Sequence, residues 1–183
     1  MQSFCNFTVG GALSVNCHGD YVGLGPIVES VRSFRMVMAD GAIKTASRTE
    51  NRDLFGGAIG GYGGIGVITE ATLDLAENIR LARTVHRMTV NEYPAWRVAH
   101  IENDSDVVLH HAVIYPGAYA TVAAEVSRRT DKPITIPDRL APMGEPNAFQ
   151  RSLLSFVTHS PFGAELHEGY DPLLGAEAEI VWR

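Results

Sequence analysis

Two glycine-dense segments and one pair of adjacent histidines are where residue type and spacing in this chain can do chemistry. The first segment runs Thr8-Val9-Gly10-Gly11-Ala12-Leu13-Ser14-Val15-Asn16-Cys17-His18-Gly19 and sets small residues on both sides of a polar Asn-x-His-Gly. Missing Cβ atoms at Gly10 and Gly11 free backbone N–H groups to face phosphate or ring oxygens. His18 can donate to, or accept from, a heteroaromatic edge near neutral pH. The second segment, Gly60-Gly61-Tyr62-Gly63-Gly64-Ile65-Gly66, holds five glycines in seven residues. That density costs chain entropy and is expected where backbone must approach a ligand closely. Residues 61–66 also match the dinucleotide fingerprint G-x-G-x-x-G, which needs a strand before it and a helix opening from it. Here the local pattern is a helix before and a strand after, so a Rossmann reading fails.

The remaining candidates are weaker. His110 and His111 are consecutive on a predicted strand, so they point to opposite faces and cannot share one ion; no metal site is expected. Ser14, Ser47 and Ser155 lie in no nucleophile-elbow context. Cys17 reads first as a small buried thiol filling space, and second as a packing or redox neighbour of whatever the glycine motif binds. Tyr62 reads as a lining or core aromatic rather than a catalytic acid. His159, His167 and Tyr170 read as loop residues. No catalytic residue is assigned.

The elements that must position these residues are strand-rich at first. Phe34, Met36 and Met38 alternate with Arg35 and Val37, Asp40-Gly41 is a two-residue turn signal, and Ile43 and Thr45 resume the alternation, so a hairpin is predicted. Thr49 or Asn51 can cap a short helix over Asp53-Leu54-Phe55. After the glycine run, Val67, Thr69, Ala71, Leu73 and Leu75 are expected on one face of a strand, with Glu70, Thr72 and Asp74 on the other. Beyond residue 78 the pattern reads β-α-β-α: a strand over 80–89, a helix over 92–101, a strand over 106–115 and a helix over 118–129. Residues 132–147 are proline-rich and irregular, a third helix covers 149–157, and 177–182 is a final strand. The fold class expected is α+β, a mixed sheet followed by a smaller antiparallel sheet covered by helices.

Composition divides the chain near residue 78. Residues 1–78 hold 13 of the 18 glycines and one proline, whereas residues 79–183 hold 8 of the 9 prolines and 6 of the 7 histidines. Each part carries a net −3, together the −6 of the whole chain, so neither is a charged tail. A hydrophobic content of 45% across 183 residues is ordinary for a globular chain and excludes a disordered or fibrous one. No run approaches the roughly 18 apolar residues of a membrane span. The opening residues do not read as a secretory signal. Cys5 and Cys17 make no disulfide framework, so a reducing, cytoplasmic setting is expected. Mild acidity without basic clusters argues against nucleic acid as a partner.

Three motifs together carry a resemblance. In order and spacing, "TVGGALSVNCHG", "ADGAIKTASRTENRDLF" and "GGYGGIGVITEATLDL" resemble the PCMH-type FAD-binding domain of the vanillyl-alcohol oxidase family of flavoproteins, nearest the aldonolactone and alditol oxidases and decaprenylphosphoryl-ribose oxidase. The match covers residues 3–78. The resemblance implies FAD as cofactor, with residues 1–78 as the second subdomain of the FAD-binding domain and 79–183 as part of a substrate, or cap, domain. It implies that Thr8, Val9, Gly10 and Gly11 lie along the flavin and its pyrophosphate, and that Val15, Asn16, Cys17, His18 and Gly19 lie beside the flavin. Gly66, Val67 and Ile68 would meet the adenosine end through their backbone. The implied activity is oxidation of an alcohol or sugar-like hydroxyl on a small molecule, with hydride passing to flavin N5; the alternative is a non-catalytic module contributing half of a flavin site. Two departures stand out. Gly56-Gly57 replaces a bulky residue of the family, so a frayed helix is expected there. The family's N-terminal subdomain and C-terminal part have no counterpart, which implies a fragment that binds FAD weakly or not at all, has no turnover alone, and is expected to associate with itself or a partner chain.

Overall fold

In a computed structural model of the chain, residues 7–115, 118–137, 152, 155, 156, 159, 160, 163 and 179–182 are described. The chain separates into two compact units, Met1–Glu77 and Asn78–Arg183. The α+β class is observed, with helices beside antiparallel sheets. Among the described residues no helix is long and apolar enough to cross a membrane.

The first described element of the first unit is a helix, α1 (Val9–Ser14), followed by a 3-10 turn over Ile27–Ser30. Strand β1 (Val31–Met38) buries Val31, Phe34 and Met36, and β2 (Ile43–Ser47) pairs with it antiparallel. The Asp40-Gly41 turn forms as expected: Gly41 takes φ +81°, and the Ala42 N–H donates to Asp40 Oδ1 at 2.9 Å. Helix α2 (Arg52–Ala58) is intact through Gly56-Gly57 and not frayed. A side chain at Gly57 would press on the tip of Ile65, so the glycine lets the following loop close over the helix. Asn51 stands at the N-cap position, but its backbone is left-handed (φ +46°) and its amide donates to the Thr45 carbonyl at 2.7 Å; neither it nor Thr49 caps with its side chain.

Strand β3 (Gly66–Leu73) pairs with the other edge of β1, giving the order β2-β1-β3. The sheet is antiparallel throughout, which corrects the expected mixed sheet. The register slips between Arg35 and Met36, which face Glu70 and Ile68, leaving Thr69 as an extra residue in β3. Such a bulge reverses the parity of a strand. Ile68 therefore packs on the core with Ala71 and Leu73, while Val67 points outward at 67% exposure, contrary to the uniform alternation expected. The core gathers Leu13, Cys17, Phe34, Met36, Ala46 and Phe55, with the Phe34 and Phe55 rings stacked 5.6 Å apart.

The second unit is a four-stranded sheet in the order β5-β6-β4-β7, built from β4 (Arg80–Thr89), β5 (Val107–Ile114), β6 (Thr121–Arg129) and β7 (Ile180–Trp182). All its described ladders are antiparallel, and it is the larger sheet rather than the smaller. Helix α3 (Tyr93–Arg97) runs into a π-helical turn over Val98–Glu102, where a helix was expected. The helix expected over 118–129 is instead the central strand β6. Val122, Ala123, Ala124, Val126 and Ser127 are all buried, and a strand covered on both faces is a continuous apolar run that periodicity cannot separate from a buried helix. The second unit thus reads β-α-β-β. Of the final strand expected over 177–182, only Ile180–Trp182 is described as strand; 177 and 178 lie outside the described residues. So do Cys5, residues 138–147, His167, Tyr170 and most of the helix expected over 149–157.

Candidate functional site

The two glycine segments meet in the first unit. At the start of α1 the Thr8 hydroxyl accepts the Gly11 N–H at 3.0 Å, which makes Thr8 a side-chain N-cap. At its end, the last carbonyls are taken by the second glycine segment: Gly60 N–H donates to Leu13 O at 2.9 Å, and Tyr62 N–H to Ser14 O at 3.0 Å. The segments are separated by more than 40 residues in sequence, so this closure was not legible from either motif alone.

Most glycines of the second segment are required by the fold itself. Gly60 and Gly63 have φ +79° and +76°. A side chain at Gly61 would run into the Gly57 carbonyl, and one at Gly66 into the Val37 carbonyl and Met36, where β3 meets β1. Their density therefore reflects internal packing first, which revises the expectation that a ligand explains it. In the first segment a Cβ at Gly11 would touch the Thr8 hydroxyl at 3.0 Å, whereas one at Gly10 would meet nothing within 4 Å. Gly10 is exposed and its φ is not positive, so among the described residues no neighbour accounts for its being glycine. Bare backbone in the first turn of α1 is what a group approaching from outside would need.

The candidate residues divide accordingly. Thr8, Val9, Gly10, Gly11, Val15 and His18 are exposed, Gly19 is half-buried and next to them in sequence, and Val67 is exposed at the head of β3. Asn16 is a structural residue: it takes φ +47° and its Oδ1 accepts the Val28 N–H at 3.2 Å. Cys17 is buried in the core, its backbone bonded to Ala12 O and to the Ile27 N–H, and burial pushes its thiol up. The space-filling reading of Cys17 thus holds. Ile68 points inward, and Gly66 is fixed by strand pairing. Tyr62 is 79% exposed and is no core residue. Ser47 holds a turn, its hydroxyl accepting the N–H groups of Thr49 and Glu50.

In the second unit the two adjacent histidines do face apart. His110 donates from Nδ1 to the Glu125 carbonyl at 2.8 Å, which leaves Nε2 to accept the Tyr93 hydroxyl at 2.9 Å. His111 instead lies 3.8 Å from the Glu125 carboxylate on the other face. That carboxylate and Glu179 flank the half-buried Arg83 at 2.5 and 3.2 Å. Two groupings here escaped sequence reasoning. One is Arg83 with its two carboxylates; the other is Trp96, packed against His86 and His100 with ring centroids at 5.0 Å and near Tyr93 and His110. The i, i+4 spacing of Trp96 and His100 was the available signal for the second. Tyr93 is half-buried, and burial pushes its phenol up against a smaller pull from Arg97. Among the described residues no cluster of three or more His, Cys, Asp or Glu is placed to hold a metal ion.

No protein-family model matches the chain. It is 39% identical over 75 residues to an alditol oxidase of a Streptomyces species, covering 41% of this chain and 18% of the relative. It is 36% identical over 96 residues to the FAD-linked oxidoreductase tazL of Aspergillus terreus, covering 49% of this chain and 19% of that one. A mitochondrial L-galactono-1,4-lactone dehydrogenase of Oryza sativa subsp. japonica is 43% identical over 85 residues, covering 44% and 14%. The chain spans less than a fifth of the length of these relatives. Among solved structures, a histidine-to-alanine variant of the cholesterol oxidase of Brevibacterium sterolicum superposes with a TM-score of 0.63 at 18% identity, over 96% of this chain and 38% of that one. This likeness is one of fold. The resemblance to FAD-linked oxidoreductases read from the motifs is borne out by these relatives.

Proposed function

We propose that this chain, whose relatives are FAD-linked oxidoreductases, is part of an FAD-dependent oxidoreductase acting on an alcohol or sugar-like hydroxyl of a small molecule. The observation that carries the reading is the conjunction at α1. A segment whose relatives include an alditol oxidase and FAD-linked oxidoreductases exposes a helix turn with a glycine, Gly10, that none of the described residues of its unit requires. On this reading residues 1–78 contribute one surface to FAD, and 79–183 are part of a substrate domain. Thr8, Val9, Gly10 and Gly11 would hold the dinucleotide through exposed backbone. Val15, His18 and Gly19 would line it, and Val67 would contact it through the main chain. Asn16, Cys17, Gly66 and Ile68 act one step back: they hold the surface in shape from the core side. FAD, when bound, supplies a hydride acceptor that no protein side chain provides. His18, exposed beside this surface, can offer a hydrogen bond to a ring edge.

The test is an equilibrium titration of the purified chain with FAD, comparing wild type with Gly10→Val. The variant is expected to keep its fold by circular dichroism, because a Cβ at Gly10 meets none of the described residues within 4 Å. It is expected to weaken FAD binding about tenfold or more, a loss of about 1.4 kcal/mol. Equal affinity in the two proteins would remove α1 from the cofactor surface, and absence of FAD binding to wild type at millimolar concentration would reject the reading itself.

A further inference from the structure

We propose that Tyr62 is a ring-stacking contact for the bound dinucleotide, an inference that rests on the FAD reading and adds a residue the motif comparison did not assign. Three observations carry it. Tyr62 has φ +51°, in the left-handed region that bulky side chains seldom adopt. Among the described residues the other non-glycine positions with positive φ are Asn16 and Asn51, which tolerate that region far better, and Tyr119 in the second unit. The conformation is held in place from several sides: the Tyr62 N–H is bonded to Ser14 O, Gly60 and Gly63 take left-handed backbone on either side, and Gly64 N–H closes the turn on Gly61 O at 2.9 Å. The side chain is 79% exposed, so packing against the described residues of its own unit does not account for it.

A glycine at this position would adopt the same backbone without strain, and its neighbours are glycines already. A tyrosine retained there costs the fold something, which is the pattern of a residue kept for an external contact. Its location names the contact. With Gly60, Tyr62 bonds the second glycine segment to the end of α1: its N–H donates to the carbonyl of Ser14, the residue before the exposed Val15. It therefore borders the surface proposed for FAD, and the chemistry it offers there is an aromatic face for a flat heteroaromatic ring. FAD carries two such rings, adenine and isoalloxazine, and the measurement separates them.

Tyr62→Gly and Tyr62→Phe are compared with wild type by titrating each full chain with FAD, FMN and ADP, following flavin fluorescence for the first two and displacement of FAD for the third. Tyr62→Phe keeps the ring and is expected to bind FAD within about twofold of wild type. Tyr62→Gly is expected to bind it about tenfold more weakly, the scale of one lost stacking contact. Its thermal midpoint should be equal to or above that of wild type, because the left-handed backbone suits glycine. A loss confined to FAD and ADP assigns the ring to adenine; a loss confined to FAD and FMN assigns it to isoalloxazine. Wild-type affinity for FAD in Tyr62→Gly, or a lowered midpoint in that variant, overturns the proposal while leaving the FAD reading intact. If wild type binds no FAD, the FAD reading falls, and the role of Tyr62 falls with it.

Discussion

At Gly10 a methyl group would meet nothing within 4 Å, whereas at Gly11 it would press on the Thr8 hydroxyl at 3.0 Å. Two adjacent glycines, identical in sequence, thus have different causes, and substitution separates them. Gly10→Ala is expected to stabilise the protein by about 0.5–1 kcal/mol, because alanine loses less chain entropy in a helix. Chemical denaturation checks this, and a decrease would mean that Gly10 serves the fold after all. Cys17 gives a second expectation at this scale. The core holds the neutral thiol, and burial pushes its ionisation up. A group whose folded pKa is raised contributes stability that is complete below its unfolded pKa and is lost as pH rises through the folded one. Stability should therefore fall on the alkaline side of the ordinary thiol range in wild type and do so less in Cys17→Ala. Since the thiolate is the reactive form, Cys17 in a Cys5→Ser background should resist alkylation near neutral pH until the chain is denatured; prompt labelling of that folded variant would contradict the burial described here.

Elements divide by how local their causes are. The Asp40-Gly41 hairpin was legible because turn and alternation lie within 15 residues, and α2 because an apolar pair follows a polar start. Strand β6 was not legible, since Val122, Ala123 and Val126 fit an inward helical face as well as a strand buried on both sides; only the β-branched Thr121, Val122 and Val126 favoured the strand. The bulge at Thr69 was hidden for a different reason. It is a property of the pairing between β1 and β3, not of either sequence, and it alone decides that Val67 faces out and Ile68 in. The glycines at 61 and 66 were visible while their reason was not, because the carbonyls they avoid come from Gly57 and Val37. For β6, Val122→Ala should cost about 2 kcal/mol, as it removes buried side-chain volume from the centre of the second sheet. A loss under about 0.5 kcal/mol in urea denaturation would speak against that central placement. The π-helical turn over 98–102 is tied down by Arg128, whose Nε donates to Asp104 at 2.9 Å and whose Nη2 donates to the His100 carbonyl at 3.1 Å. Arg128→Ala should speed amide exchange through 98–104 with little change in β4 and β6; uniform exchange across the unit would show that the tie is not local.

For the whole molecule, the net charge of −6 is shared evenly between the two units. The first unit exposes Val9, Val15, Tyr62 and Val67, and among the described residues β3 is paired on one side only. On the proposed reading these surfaces are covered when the cofactor and neighbouring protein are in place, and without them self-association is expected. Sedimentation that depends on concentration would bear this out; a single monomeric species across the range would count against it. The claim at the centre of the account is that residues of α1, the turn that follows it and the head of β3 form one surface for FAD. Backbone amide chemical shifts of the full chain, recorded during titration with FAD, test it most directly. The account predicts shifts concentrated at Val9–Gly11, Val15–Gly19, Tyr62 and Gly66–Ile68. Absence of any FAD-dependent shift, or shifts that leave these residues unmoved while others respond, would contradict it.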